Sequence, residues 1–217
     1  MSRLKTAILI SGRGSNMRAL IEECSKPEAP AEIVLVIANN PNAAGLKFAR
    51  EKSVPTHVID HRNFKHREDF ENEINSLLEA NQVDFVCLAG FMRILTKNFV
   101  GRWSDRIMNI HPSLLPAYPG LNTHQRALED GVKFVGCTVH FVREEVDVGP
   151  IIIQAVVPVG PKDTIETLAA RVLAKEHKCI CYALTQIAVG NVKISAGRVV
   201  INASAALASG ATNPLLS

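Results

Sequence analysis

Ala7-Ile8-Leu9-Ile10, Ile33-Val34-Leu35-Val36-Ile37-Ala38 and Phe85-Val86-Cys87-Leu88 are unbroken apolar runs. No feature of the chain narrows the fold more. A strand with one wet face alternates apolar and polar residues, whereas a continuous run belongs to a strand covered on both faces. Between the runs lie segments with helical spacing. Met17, Leu20 and Ile21 mark one, residues 43 to 52 a second, and residues 67 to 80 a third, with Phe70, Ile74, Leu77 and Leu78 on its apolar side. Thr56-His57-Val58-Ile59 reads as a further short strand. Alternation of buried strand and helix is the pattern of a parallel sheet with right-handed crossovers.

The second half changes character. A strand through Ile107, Met108 and Ile110 runs into Pro112 and Pro116, a loop continues to Gly120, and a helix is predicted from about Thr123 to Asp130. Val132 to Val142 and Ile151 to Val159 read as long strands separated by residues 143 to 150, so they can pair as an antiparallel excursion. Asp163, followed by Glu166, predicts a capping-box start for the longest helix, which extends to about Val189. Lys193-Ile194 and Val199-Val200-Ile201 flank Ala196-Gly197-Arg198 as a short hairpin. The fold class expected is α/β: a Rossmann-like, mostly parallel twisted sheet, helices on both faces, and an antiparallel excursion in the C-terminal half. With 217 residues, 47% hydrophobic, and no internal repeat or linker, residues 1–202 are expected to form a single domain. The Ala- and Ser-rich segment 203–217 is expected to be a mobile tail.

A formal net charge of +3 does not describe a nucleic-acid surface, although it suits small anionic substrates. Five cysteines at irregular spacing argue for free thiols in a reducing compartment. The first apolar run is too short for a signal peptide and no later run could span a membrane, so a cytoplasmic protein is expected.

Several stretches could carry chemistry. In Asn109-Ile110-His111-Pro112-Ser113-Leu114-Leu115-Pro116, two polar residues lie two apart at the end of a buried strand and therefore on one face, before a stiff loop. An amide can donate to a developing oxyanion and an imidazole can exchange a proton near neutral pH; a core histidine beside a turn is the plainer alternative. Ser11-Gly12-Arg13-Gly14-Ser15-Asn16 follows a strand and opens a helix, a geometry that suits a phosphate. A dinucleotide fits poorly, because Met17 replaces the third glycine and Asn39-Asn40 offers no acid for a ribose. A simple helix cap stays open. Asp147, in an acidic turn, is either solvated or a carboxylate returned to His111, whose cationic form it would favour. Glu176 falls in the middle of the long helix's apolar face, between Val172 and Ile180, so it either accepts structural hydrogen bonds or meets a polar ligand. His177, Cys179 and Cys181 point different ways on a helix and cannot converge on one ion. Arg67 and Arg93 read as ordinary cations, although Arg93 directly follows a strand end.

Taken together, these motifs identify a family. From about residue 5 to residue 190 the chain resembles the phosphoribosylglycinamide formyltransferases, folate-dependent enzymes of purine synthesis. The resemblance rests on the loop Ser11 to Asn16, Ala89-Gly90-Phe91-Met92-Arg93-Ile94-Leu95, the run Asn109 to Pro116, Tyr118-Pro119-Gly120, His140-Phe141-Val142, Asp147 with Gly149-Pro150, and Glu176-His177. It implies 10-formyltetrahydrofolate as co-substrate, glycinamide ribonucleotide as acceptor, and no metal. It implies Asn109, His111 and Asp147 as the catalytic set. Gly14, Ser15 and Asn16 would hold the acceptor phosphate and Glu176 its ribose hydroxyls. Arg67, Met92, Arg93, Ile94, Leu95 and Asn109 would contact the folate, with Val142, Arg143, Glu144, Glu145 and Val146 forming its pteridine wall. The N-terminal half would then be phosphate-binding and the C-terminal half folate-binding and catalytic. The partners implied are small molecules, without nucleic acid or membrane, in a monomer or homodimer. Two rival families share the motif: methionyl-tRNA formyltransferase, with a further tRNA-binding domain, and formyltetrahydrofolate deformylase, a hydrolase of the same donor. Val148 and Arg143 depart from the family's usual residues beside Asp147 and in the folate loop.

Overall fold

The computed structural model describes residues 2–201 and 212–213, in two compact units, Met1–Asn109 and Ile110–Ser217. The first unit is a parallel sheet with its helices. Strands β1 (Leu4–Ile10), β2 (Ala31–Ala38), β3 (Thr56–Val58), β4 (Phe85–Leu88) and the start of β5 (Ile107–His111) lie in the order β5-β4-β1-β2-β3, each pair parallel. Ile8, Leu9 and Ile10 of β1 and Leu35, Val36 and Ile37 of β2 are wholly buried, which is why these runs carry no polar residue. Each such side chain contributes about 1.5–3 kcal/mol by leaving water. Helices α1 (Ser15–Cys24), α2 (Gly45–Glu51) and α3 (Arg67–Ala80) return the chain between strands. A short helix, α4 (Lys97–Arg102), capped by the Thr96 hydroxyl, leads into β5 and was not evident from sequence periodicity.

The second unit begins within β5. Helix α5 (Thr123–Glu129) precedes β6 (Phe134–Phe141) and β7 (Ile151–Pro158), which pair antiparallel as expected for the excursion. Helix α6 (Ile165–Ala188) packs on both strands. Strands β8 (Val192–Ser195) and β9 (Arg198–Ile201) form the separate hairpin, and β10 (Thr212–Asn213) pairs with β7. The fold class is therefore the Rossmann-like, mostly parallel α/β class, with an antiparallel addition in the C-terminal half. Apart from β10, the segment 203–217 lies outside the described residues.

One local expectation is corrected. The cap of α6 is Thr164, in a reciprocal capping box with Thr167, and not Asp163 with Glu166. Asp163 instead accepts from the Gly160 N–H at 2.7 Å, from the Thr167 hydroxyl at 3.0 Å and from the Arg171 guanidinium. Arg171, which no one-dimensional capping pattern includes, recruits the carboxylate away from the helix end.

Candidate active site

The catalytic candidates of the second unit are assembled by its loop and turn. Residues 112 to 120 leave β5 through a cis Leu115–Pro116 bond. Three polar contacts strap this loop to the excursion: Leu115 N–H donates to Thr138 Oγ1 at 3.1 Å, Thr138 Oγ1 donates to the Ser113 carbonyl at 2.7 Å, and Gln154 Nε2 donates to the Leu115 carbonyl at 2.9 Å. Its far end is held by Arg126, which donates to the Pro119 carbonyl at 2.7 Å and stacks over the Tyr118 ring. The loop's backbone is thereby fixed where it meets His111.

His111 Nε2 lies 2.9 Å from the Tyr118 carbonyl. A carbonyl only accepts, so Nε2 carries a proton. Nδ1 lies 3.4 Å from Asp147 Oδ2, and both side chains are 7% exposed. Each ring nitrogen therefore faces an acceptor oxygen. Asp147 Oδ2 also accepts from the Gly120 N–H at 2.8 Å, so the carboxylate, the loop and the imidazole are one constellation.

The turn that delivers Asp147 is closely built. Asp147 itself has φ +58°, a left-handed conformation that Asp tolerates better than most residues. At Gly149 a β-carbon would sit 1.8 Å from the Phe141 carbonyl oxygen, so only glycine lets the returning chain cross the end of β6. His140, buried at the end of β6, has its Nδ1 donating to the Phe141 carbonyl at 3.0 Å and its Nε2 3.9 Å from Asp147 Oδ1. Burial pushes the His140 imidazole down from its ordinary value, against the Phe141 bond and the Asp147 charge, which raise it. The net effect favours the neutral ring of His140. Burial, then the neighbouring His111, push His124 down as well. Sequence reasoning assigned no role to His140, His124 or Gly120; the first and last lay in quoted motifs, but nothing in their spacing signalled an approach to Asp147.

The other candidates of this unit are also located. Glu176 lies on the inner stripe of α6 with Leu168, Val172, Cys179 and Ile180 and is 8% exposed, as its position on the apolar face predicts. Val142 and Arg143 are half-buried, and Glu144, Glu145 and Val146 are exposed ahead of Asp147. Cys137 and Cys179 face each other across β6 and α6 with sulfurs 3.9 Å apart as free thiols.

In the first unit the loop Ser11 to Asn16 joins β1 to α1. Gly14 is the N-cap of α1 at φ +70°, and no side chain caps the helix. The Gly45 N–H donates to the Gly12 carbonyl at 3.0 Å, and a β-carbon on Gly14 would stand 3.1 Å from the Gly45 Cα. Close backbone approach thus sets the loop. Beside it, Ser11 N–H donates to the Gly90 carbonyl and Ser11 Oγ accepts from Met92 N–H at 2.7 Å. Met92, Arg93 and Ile94 are exposed, Leu95 is buried, and Arg67 is exposed at the first residue of α3. Asn109 is the last residue of this unit; strand alternation puts its side chain on the same face of β5 as that of His111. Among the described residues no group of three or more His, Cys, Asp or Glu side chains is disposed to hold a metal, and no helix is long and apolar enough to cross a membrane.

The second unit thus holds an imidazole hydrogen-bonded to a carbonyl and facing a carboxylate, and the first holds a glycine-bearing loop at a helix N-terminus. The formyl transferase family model matches residues 4–184. Phosphoribosylglycinamide formyltransferase of Haemophilus influenzae is 40% identical over 96% of this chain and 99% of its own length. The trifunctional purine biosynthetic protein adenosine-3 of Gallus gallus is 48% identical over 91% of this chain, which spans 20% of that larger protein. The crystal structure of glycinamide ribonucleotide transformylase 1 from Symbiobacterium toebii superposes with a TM-score of 0.89 at 43% identity, over 92% of this chain and 94% of the other. The chain belongs to the formyl transferase family, among its phosphoribosylglycinamide formyltransferases.

Proposed function

We propose that the protein transfers the formyl group of 10-formyltetrahydrofolate to the amine of glycinamide ribonucleotide, in purine synthesis. The observation that carries this reading is His111 held between the Tyr118 carbonyl and Asp147, at 2.9 and 3.4 Å. The acceptor nitrogen attacks the formyl carbon, and the carbonyl oxygen becomes an oxyanion. Asn109 and the cationic His111 donate to it; one such donor is worth ~3–4 kcal/mol. The bond from the formyl carbon to N10 of the folate then breaks. The proton lost by the attacking nitrogen is delivered to N10 through water organised by Asp147. Asp147 keeps His111 charged throughout.

Gly14, Ser15 and Asn16 receive the acceptor phosphate at the N-terminus of α1, where backbone N–H groups and the helix dipole favour an anion. Glu176 accepts from the ribose hydroxyls. The exposed Met92 and Ile94 supply apolar surface to the folate, flanked by Arg67, Arg93 and Leu95, and Val142 to Val146 form the wall of the pteridine site. Holding both substrates together supplies proximity worth ~7–11 kcal/mol. No metal takes part, the partners are these small molecules, and the five free thiols suit a reducing cytoplasm.

The test is turnover of 10-formyltetrahydrofolate with and without glycinamide ribonucleotide. Turnover only with the acceptor is expected. Equal turnover without it would make the protein a hydrolase of the same donor and remove the acceptor roles of Ser15, Asn16 and Glu176.

A further inference from the structure

Helix α3 buries two polar side chains that its apolar periodicity does not call for: Glu71, 3% exposed, and Asn75, 8% exposed. With Arg67 they stand four residues apart in sequence, so the three form one line along the helix. Each buried member of the line ties down one end of α4. Glu71 Oε1 accepts from the Thr96 N–H at 2.7 Å, and Oε2 accepts from the Thr96 hydroxyl. Thr96 is at the same time the N-cap of α4, its Oγ1 accepting from the Phe99 N–H at 3.3 Å. One helical turn on, Asn75 Oδ1 accepts from Trp103 Nε1–H at 2.9 Å, at the C-cap of α4.

These ties have a geometric consequence. The segment Phe91–Leu95 is anchored at its start by the Met92 N–H to Ser11 Oγ and at its end by Thr96 to Glu71. Its exposed members, Met92, Arg93 and Ile94, hang between the two anchors. One anchor lies beside the glycine loop, and the other is a carboxylate one turn from Arg67. A buried carboxylate costs stability unless it is fully hydrogen-bonded, and α4 could be capped by Thr96 without it. We propose that Glu71 is a positioning residue for folate: its carboxylate sets the register of Met92–Leu95 and locks that segment to Arg67, so that both present one preformed wall to the donor. The inference rests on the reading of Arg67 and Met92–Leu95 as folate contacts.

The experiment measures the KM of each substrate, kcat and the melting temperature for Glu71→Leu, Glu71→Gln, Thr96→Val, Arg67→Ala and Met92→Ala. Glu71→Leu is expected to raise the donor KM about tenfold or more, the order expected when charge-assisted hydrogen bonds are lost, while the acceptor KM and kcat stay within about threefold. Glu71→Gln, whose amide can still accept from the Thr96 N–H and donate to its hydroxyl, restores the donor KM to near wild type. Thr96→Val, which deletes only the hydroxyl contact, shows the same split at smaller size, and it decides the matter if Glu71→Leu does not fold. An unchanged donor KM in the folded Leu variant, equal rises in both KM values, or no rescue by Gln would overturn the proposal. If instead Arg67→Ala and Met92→Ala both leave the donor KM unchanged, the folate reading of the segment fails, whatever Glu71 does.

Discussion

Replacing Asp147 by Asn removes one charge while sparing the geometry around it. Asn adopts the left-handed conformation at φ +58° readily, its oxygen in the place of Oδ2 still accepts from the Gly120 N–H, and its nitrogen then faces His140 Nε2, an acceptor. What disappears is the attraction between the carboxylate and the His111 cation. Two unit charges 3.4 Å apart interact by about 5 kcal/mol at an effective dielectric of about 20. Desolvation of two side chains that are each 7% exposed offsets part of this. Only the share that grows as the oxyanion forms lowers the barrier, and that share is bounded by the ~3–4 kcal/mol of a single oxyanion donor. At 1.36 kcal/mol per factor of ten, kcat should fall by about 10²–10³. Initial rates of formyl transfer at saturating levels of both substrates, with a melting curve for the variant, check this. A folded Asp147→Asn protein that keeps kcat within about tenfold of wild type would refute the argument that the carboxylate holds His111 in its catalytic charge state.

Two further outcomes are expected. Glu176→Gln should raise the acceptor KM about tenfold or more, since a buried charged hydrogen-bond acceptor is worth ~1.5–3 kcal/mol, and leave the donor KM unchanged; an acceptor KM within twofold of wild type would return Glu176 to a purely structural role. Asp163 offers a test of stability against pH. The Arg171 guanidinium first, and then the Gly160 N–H, hold its carboxyl well below the usual range. A depressed folded value means that the folded state binds fewer protons, so the contribution is complete above the unfolded value near ~4 and is lost as pH falls through the folded value. Melting temperatures of Asp163→Asn should therefore lie below wild type at neutral pH and converge with it on acidification below about pH 4; parallel curves would show that the network does not couple to protons.

Some of this was written plainly in the chain. Short continuous apolar runs bounded by turn residues and alternating with amphipathic helical segments suit buried strands of a parallel sheet, so β1, β2 and β4 and their intervening helices follow from the apolar pattern. Glu176 was legible for the same reason in reverse: a charge at the centre of a 3.6-residue apolar stripe must point inward, and at 8% exposure it does. Motifs in family order identified the chemistry. Other features lay beyond any one-dimensional pattern. The cap of α6 shifted by one residue because Arg171, two turns along the helix, drew Asp163 to itself. The inward placement of Glu71 and Asn75 on α3 rests on partners, Thr96 and Trp103, that lie far along the chain.

The division follows from the range of the forces involved. Burial preference acts residue by residue and leaves its period in the sequence, so the sequence by itself determined the strands, the helices and the inward carboxylate of α6. Hydrogen bonds and charge pairs act over about 3–4 Å between groups that only folding brings together. The tertiary structure alone decided that Tyr118 and Asp147 bracket His111, that His140 is buried beside them, and that Glu71 fastens the segment after β4, because each depends on chain returns whose end points no local pattern encodes.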